Sequence, residues 1–552
     1  MKSKLKMDNL NIKDLDHLGI VAGIIDEMGL VEIINEEVGT HPQEKLSVGI
    51  IVKAMILNCL GCVNAPLYLF SEFFKGKALE HLLGEGIKAE DLNDDKLGRS
   101  LDRVFRVGVT NLFTKIVLKA TSIFGIEKSA SSKHLDSTSI SVQGKYKERI
   151  EDEEDEEDEE EEQTKAIKIK FGYSRDKRPD LKQFMLNMIC SGDGGVPLFM
   201  QLGDGNESDK KVFPQIIKDC QETLKMEGLS VMDGAFYTAE NVGMARSSQW
   251  LSRVPLTLKE ATETLDNLSE EQWQPAEQDG YRWQAKESEY GGEQQRWLVV
   301  ESAQRLQSDN QAIAHKIEKA DKIVQKEWHK LCGQNFACEV DALTQAQLWQ
   351  KALTYHQLTQ VEVQTIPYYD KGGRPKQGAT PLGFHYRLTG QLSLDSSCLE
   401  ATSKRAGRFI LATNVLDSQA LSPDQMLAEY KAQQVTERGF RFLKDPFFFA
   451  SALFLKNPQR IMALMMIMVV SLLVYTLAQR RLRQALALAH QTIPNQKGQP
   501  TAIPTLRWVF QSFLFIRWLE IDGIQTIVNL TSKHKHILSF LGSSCQKYYF
   551  VS

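Results

Sequence analysis

Eighteen consecutive residues without a charge, Ile461 to Ala478 (IMALMMIMVVSLLVYTLA), constrain this chain more than any other stretch. As a helix they run about 27 Å, the lower limit for crossing a bilayer. Apolar residues fall on every side of that helix, so it must be enclosed by lipid or by protein. Lys456 and Arg460 precede it and Arg480, Arg481 and Arg483 follow it, which gives no orientation signal. A lone span this late in a chain of soluble composition argues for protein. The expectation is a helix buried in a large core, with no membrane partner.

The 552 residues allow two to four domains, each able to bury a core, and 42% hydrophobic with 25% charged residues is the balance of an ordinary soluble protein. The net charge of −5 is dominated by residues 151–162, twelve consecutive acids. Without them 66 basic residues stand against 59 acidic ones, a mildly basic body compatible with nucleic acid. Twelve like charges repel one another and cannot bury surface, so residues 150–165 are expected to be a disordered loop at the tip of a hairpin. Such a run can screen neighbouring basic surface from nonspecific DNA, and its deletion should then raise nonspecific affinity. The eight cysteines show no framework spacing, and Cys59 and Cys62 form a CxxC without a second pair or a histidine in register. Reduced thiols are expected. The opening stretch has no apolar run before a small-residue cleavage site, which points to the cytoplasm.

The chain opens with helical patterns over 14–38, broken at Gly29, then Ser47 to Leu60 and Asp95 to Leu112. The last carries Lys96, Arg99, Arg103 and Arg106 as a basic stripe, which suits a phosphate backbone or a solvated face. From residue 133 the period changes. His134 to Val142 (HLDSTSISV) alternates as a strand with Asp136 inside it, a costly place for an acid unless it binds a cation or faces a cleft. Gln183 to Ser191 and Val196 to Leu202 read as two more strands joined by a turn at Gly192-Asp193-Gly194-Gly195. A helix is expected over Asp209 to Met226. Leu229 to Met232 then forms a short strand ending on Asp233, where α/β folds place functional groups.

Far downstream, Tyr430 to Lys444 (YKAQQVTERGFRFLK) reads as one helix. At 100° per residue Tyr430, Glu437 and Lys444 lie nearly on one line, with Gln433 and Arg441 to either side. Val435, Phe440, Phe442 and Leu443 can fix it to a core. An acid flanked by an amide and cations suits a metal ion beside a phosphodiester; a solvated charge pattern gives the same spacing.

Three strands, a helix, a strand with an acid at its tip, and a late helix with an acid follow the order of a ribonuclease-H-like fold. Here the chain resembles DDE transposases of bacterial insertion sequences, in the group with a Tyr-x2-Arg-x3-Glu-x6-Lys signature. That signature falls on Tyr430, Gln433, Glu437 and Lys444, with Gln433 where the group has arginine; the first two acids fall on Asp136 and Asp233. GYSRDKRPDLKQF (172–184) and GDGNESD (203–209) resemble the segments between them. The resemblance implies an α/β, ribonuclease-H-like catalytic domain over 126–260 and 408–490. It also implies a β-rich insertion over 261–407, a helical DNA-binding region over 1–125 and a helical C-terminal region over 491–552.

It further implies that Asp136, Asp233 and Glu437 hold two Mg²⁺ ions, with Mn²⁺ able to substitute, while Tyr430, Gln433, Arg441 and Lys444 contact DNA. Implied partners are double-stranded DNA, as terminal inverted repeats and target, and a second copy in the DNA complex. The implied setting is the bacterial cytoplasm, at the nucleoid when DNA is bound. The activity implied is cleavage at element ends and strand transfer; the alternatives are a catalytically decayed, DNA-binding copy or a nuclease of the same fold. Within the insertion, Ser302 to Lys330 reads as a helix, and Pro255 to Lys259, Gln295 to Glu301, Gln360 to Tyr369, His385 to Leu388 and Arg408 to Thr413 read as strands. Trp283 and Trp297 suit either base stacking or the insertion's core. Lys371, Arg374 and Lys376 mark a loop that suits phosphate contact or an exposed turn.

Overall fold

The computed structural model describes residues 10–61, 70–126, 132–143, 146, 165–225, 227–370, 380–445 and 455–550, without the side chains of 209–211. The acidic run, Cys62 and the basic loop at 371–376 lie outside the described residues. Two compact units divide the chain. One comprises Met1–Ser252, Tyr290–Glu293 and Met426–Ser552; the other comprises Arg253–Glu289 and Gln294–Gln425. These limits differ from the expected insertion of 261–407, because Arg408–Thr413 pairs antiparallel with Glu293–Ser302 and stays with the second unit.

The spine of the first unit is the helix Pro458–Leu488. Asn457 caps it, its side chain accepting from Gln459 N at 2.9 Å, and Pro458 occupies the first turn, where a missing N–H costs nothing. Its apolar window is 94% buried inside the protein, as expected for a core helix. Three of the five flanking cations bind protein acids. Arg460 makes a bidentate pair with Asp102 at 2.7 and 2.8 Å, Arg481 pairs with Glu27, and Arg480 reaches Asp193 at 2.6 Å and the Phe124 carbonyl at 2.9 Å.

Against one part of this spine pack the N-terminal helices Leu18–Met28, Val48–Cys59, Asp94–Arg106 and Val109–Ile123. The break at Gly29 is present, with the left-handed φ of 65° that glycine adopts without strain. The pattern over Asp95 to Leu112 is two helices instead of one, because Gly108 at φ 86° ends the ladder. The basic stripe is partly committed: Arg103 pairs with Glu44 at 2.5 Å and donates to the Gly39 carbonyl at 2.6 Å, whereas Arg99 and Arg106 are exposed. The C-terminal region closes on this module. Arg517–Ile521 pairs antiparallel with Leu10–Asp14, and a Cβ at Gly23 would stand 2.6 Å from the Cys545 Cα.

Against another part of the spine lies a sheet of β1 (Lys133–Val142), β2 (Lys182–Ser191), β3 (Pro197–Gly203), β4 (Ser230–Met232) and β5 (Trp250–Val254), in spatial order β3-β2-β1-β4-β5. β2 runs antiparallel to both β1 and β3, and β4 lies parallel to both β1 and β5. The helix Asp209–Leu224 supplies the crossover from β3 to β4. Strand β5 carries a short mixed pattern, WLSRV, and sequence periodicity passes over it. The stretch expected as a strand at Pro255 to Lys259 instead leads into the helix Lys259–Asp266.

The second unit holds antiparallel strands in the order Arg408–Thr413, Glu293–Ser302, Tyr281–Tyr290 and Gln274–Pro275. Trp297 is fully buried, so of its two expected roles it takes the core one, and Trp283 is half-buried. Beyond the strands, the helices Ala303–Cys332 and Glu339–Lys351 clasp a long hairpin, His356–Tyr368 with Gly383–Leu394, around Trp328, Leu331, Ala342, Ala346, Leu358 and Leu388.

Candidate active site

β1 and β4 are paired in parallel through Leu135 and Met232, and the next residue along each segment is an acid: Asp136 within β1 and Asp233 just past the end of β4. Adjacent strands lie about 4.8 Å apart, which sets the two carboxylates side by side. The Asp233 carboxylate is held in an Asx turn, accepting from Ala235 N at 3.0 Å, and Ser252 on β5 donates its hydroxyl to the Asp233 carbonyl at 2.8 Å. The Asp136 carboxylate accepts from Ser137 N at 2.8 Å.

The third acid comes from above the same strand. Thr436, on the helix Gln434–Leu443, donates its hydroxyl to the His134 carbonyl at 3.3 Å, two residues before Asp136. Gly439 on that helix lies over Met188, the residue paired with Asp136 across β1 and β2; a Cβ there would meet the Met188 Cε at 3.2 Å. Glu437 between them is exposed. Burial, the charge of Asp233 and, more weakly, that of Glu437 push the Asp136 carboxyl up to about 7, with Arg175 opposing them. Residues 97 and 301 positions further along the chain thus act on the Asp136 carboxyl. Among the described residues, no three Asp, Glu, His or Cys side chains converge closely enough to enclose one ion.

The expected single helix over Tyr430 to Lys444 is two, Pro423–Ala432 and Gln434–Leu443. At Gln433 the ladder tightens: its N–H donates to the Tyr430 carbonyl and its carbonyl accepts from Thr436 N, both three residues away. Gln433 is buried with Thr436, Gly439, Phe440 and Leu443, on the inner face instead of the polar one. The expected polar face is therefore narrower, comprising Glu437 and Arg441, both exposed, with half-buried Tyr430 and Lys444 at its ends. Lys444 donates to both carboxylate oxygens of Asp176 at 2.7 Å.

Sequence reasoning missed Arg175 as a site residue. Its guanidinium lies 3.5 Å from Asp136 and donates to the Ser137 carbonyl and, at 2.9 Å, to the Ser137 hydroxyl. The only signal was its place in the GYSRDKRPD stretch, since nothing local to that stretch reveals that it folds back over β1. His134 is fully buried beside Ser132, with burial pushing it down to about 4, so its ring is neutral. Cys190 on β2 is buried against Thr436 and pushed up to about 12, a packing thiol and not a nucleophile. A separate cavity of about 450 Å³ in the second unit, lined by residues including Glu260, Glu263 and Lys286, contains none of these residues.

No curated protein matches the chain. A solved structure, the cryo-EM structure of the piggyBac transposase synaptic complex with hairpin DNA, is similar at 8% identity over 96% of this chain and 79% of that one. Its TM-score of 0.35 is too low to bear on the fold. Residues 10–118 match a domain of unknown function, DUF4277. Residues 134–476, more than half of the chain and including Asp136, Asp233 and Glu437, match the family described as the transposase DDE domain. The chain belongs to the DDE-domain transposase family.

Proposed function

We propose that this protein is a DNA transposase of the insertion-sequence type, cutting DNA at the ends of its element and joining the freed ends to a target. The proposed catalytic core is ribonuclease-H-like. The strand order β3-β2-β1-β4-β5, with three antiparallel strands followed by two parallel ones, supports that fold.

The observation that carries the proposal is the effect of Asp233 and Glu437 on Asp136. Side-by-side carboxylates in a partly buried place strain each other's ionisation, and a divalent cation relieves that strain. The donor set fits Mg²⁺, which takes hard oxygens, uses one or two protein carboxylates and keeps sites for water and phosphate, so three acids need not enclose one ion. Asp136 and Asp233 would share an ion, with Glu437 completing a second site. Ions held there would supply an activated water or DNA 3′-hydroxyl and stabilise the leaving oxygen. The chain's own residues do the positioning. Arg175 fixes the Asp136 end of β1, and Arg441, with Lys444 once released from Asp176, offers charge to phosphate oxygens. Tyr430 lies at the other end of that face, and Gln433 acts through helix packing.

The test is cleavage of labelled DNA carrying the element's terminal repeat in Mg²⁺, Mn²⁺ or Ca²⁺, comparing wild type with Glu437→Ala. Cleavage at the repeat boundary in Mg²⁺ or Mn²⁺ that the variant lacks supports the proposal. Equal cleavage by both proteins contradicts the role of Glu437.

A further inference from the structure

The segment entering β2 mounts two exposed aromatic rings, four and two residues before Arg175, which contacts the first acid. Its backbone is firmly pinned. Lys168 N donates to the Asp204 carboxylate at 2.7 Å, Gly205 N donates to the Lys168 carbonyl at 3.0 Å, and the Gln183 side-chain amide donates to the Tyr173 and Gly205 carbonyls at 3.2 and 2.8 Å. Gly172 faces inward, where a Cβ would stand 2.0 Å from the Gly205 carbonyl oxygen. Alternate residues of an extended chain face opposite ways, so Phe171 and Tyr173 face out. They are 58% and 89% exposed. Folding therefore fixes the backbone under Tyr173 but makes almost no use of its ring.

The surroundings indicate what the rings meet. Two residues beyond Tyr173, Arg175 touches Asp136. Between Lys168 and Lys182 the chain carries six cations against two acids, and Lys182 lies 5.8 Å over the Phe171 ring. Exposed aromatics interleaved with cations are the means by which proteins hold unpaired nucleic acid: rings stack on bases and cations follow the phosphates. A protein partner fits less well, because charge is depleted at the centre of protein interfaces.

We propose that Tyr173, assisted by Phe171, is a stacking platform for an unpaired DNA base next to the phosphodiester presented to Asp136. This deepens the transposase function above and rests on it. A base unstacked at that point leaves the duplex open where the backbone must enter a partly buried site.

The experiment measures binding of the full chain to a blunt DNA duplex and to the same duplex ending in an unpaired fork that carries 2-aminopurine, for wild type, Tyr173→Phe, Tyr173→Ala and Phe171→Ala. The expected result is tighter binding of the fork by wild type and Tyr173→Phe, with 2-aminopurine fluorescence quenched. Tyr173→Ala should lose about 5-fold or more in fork affinity, as one stacked base is worth, with blunt-duplex affinity unchanged and a smaller loss for Phe171→Ala. Equal fork affinity in wild type and Tyr173→Ala, or equal losses on fork and blunt duplex, overturns the platform alone. A wild-type chain that binds neither probe overturns the platform and the transposase function together.

Discussion

Asp136 and Asp233 are register neighbours: the parallel pairing of β1 with β4 ends at Leu135 and Met232, and each strand then presents its acid. Burial, with the charge of Asp233 beside it, pushes Asp136 up to about 7, against roughly 4 in an unfolded chain. Between those values the folded protein binds a proton that the unfolded chain has released. The stability this group contributes is therefore complete below about pH 4 and lost as the pH rises through 7. Asp136→Asn removes that loss. Its melting temperature relative to wild type should rise between pH 5 and pH 8, and Mg²⁺ at pH 8 should stabilise wild type and not the variant. A constant difference across that range contradicts the account of Asp136.

Arg480 ties three parts of the first unit together: Asp193 in the β2–β3 turn and the carbonyls of Phe124 and Gly125 after the helix Val109–Ile123. Arg480→Met keeps the aliphatic stem and removes every one of these hydrogen bonds. Because Asp193 is half exposed, the expected loss is about 1–3 kcal/mol, below that of a fully buried pair. Urea unfolding reads it, and an unchanged midpoint would show that the contacts are idle.

Lys444 and Asp176 make the free protein hold a cation of the candidate DNA face against an acid of its own chain. Asp176→Asn should release Lys444 to phosphate and raise affinity for a DNA duplex a few-fold at low salt, with a steeper salt dependence by about one ion. Lys444→Gln should do the reverse. Weaker binding by Asp176→Asn would mean that the pair holds the Glu437 helix in place instead.

His17, stacked on Phe510 at 4.2 Å between ring centres, donates from Nε2 to the Leu60 carbonyl at 2.8 Å, and burial pushes it down to about 4. Its buried Nδ1 has no partner among the described residues, so a second proton there would be an unpaired buried charge. The folded pKa is depressed, so the stability it contributes is present above about 6.5 and is lost as the pH falls toward 4. His17→Gln should flatten acid unfolding in that window as followed by circular dichroism; an unaltered slope would assign it to other groups.

The sequence made the strand bearing Asp136, the strand-end acid Asp233 and the buried spine legible, because each depends on local pattern: alternation, a short apolar run ending on an acid, and an unbroken apolar stretch. What it hid is non-local. That Asp136 and Asp233 share a register depends on pairing across nearly a hundred residues, and Arg175 reaches Asp136 only because its loop folds back over β1. Gln433 stood at the margin of the expected polar face, and the tightened turn at that residue carries it inward. Strand β5 was missed because five residues with a serine and an arginine show too little periodicity, while PLTLK resembled a strand and is a lead-in to a helix.

Mn²⁺ binding to the DNA-free protein, followed by electron paramagnetic resonance, reads whether Asp136 and Asp233 hold one cation while Glu437 completes a second, neighbouring site. Wild type should take up Mn²⁺ with affinity that rises from pH 6 to pH 8, Asp136→Asn and Asp233→Asn should each lose that uptake, and Glu437→Gln should weaken it. Uptake undiminished in both aspartate variants would contradict the site.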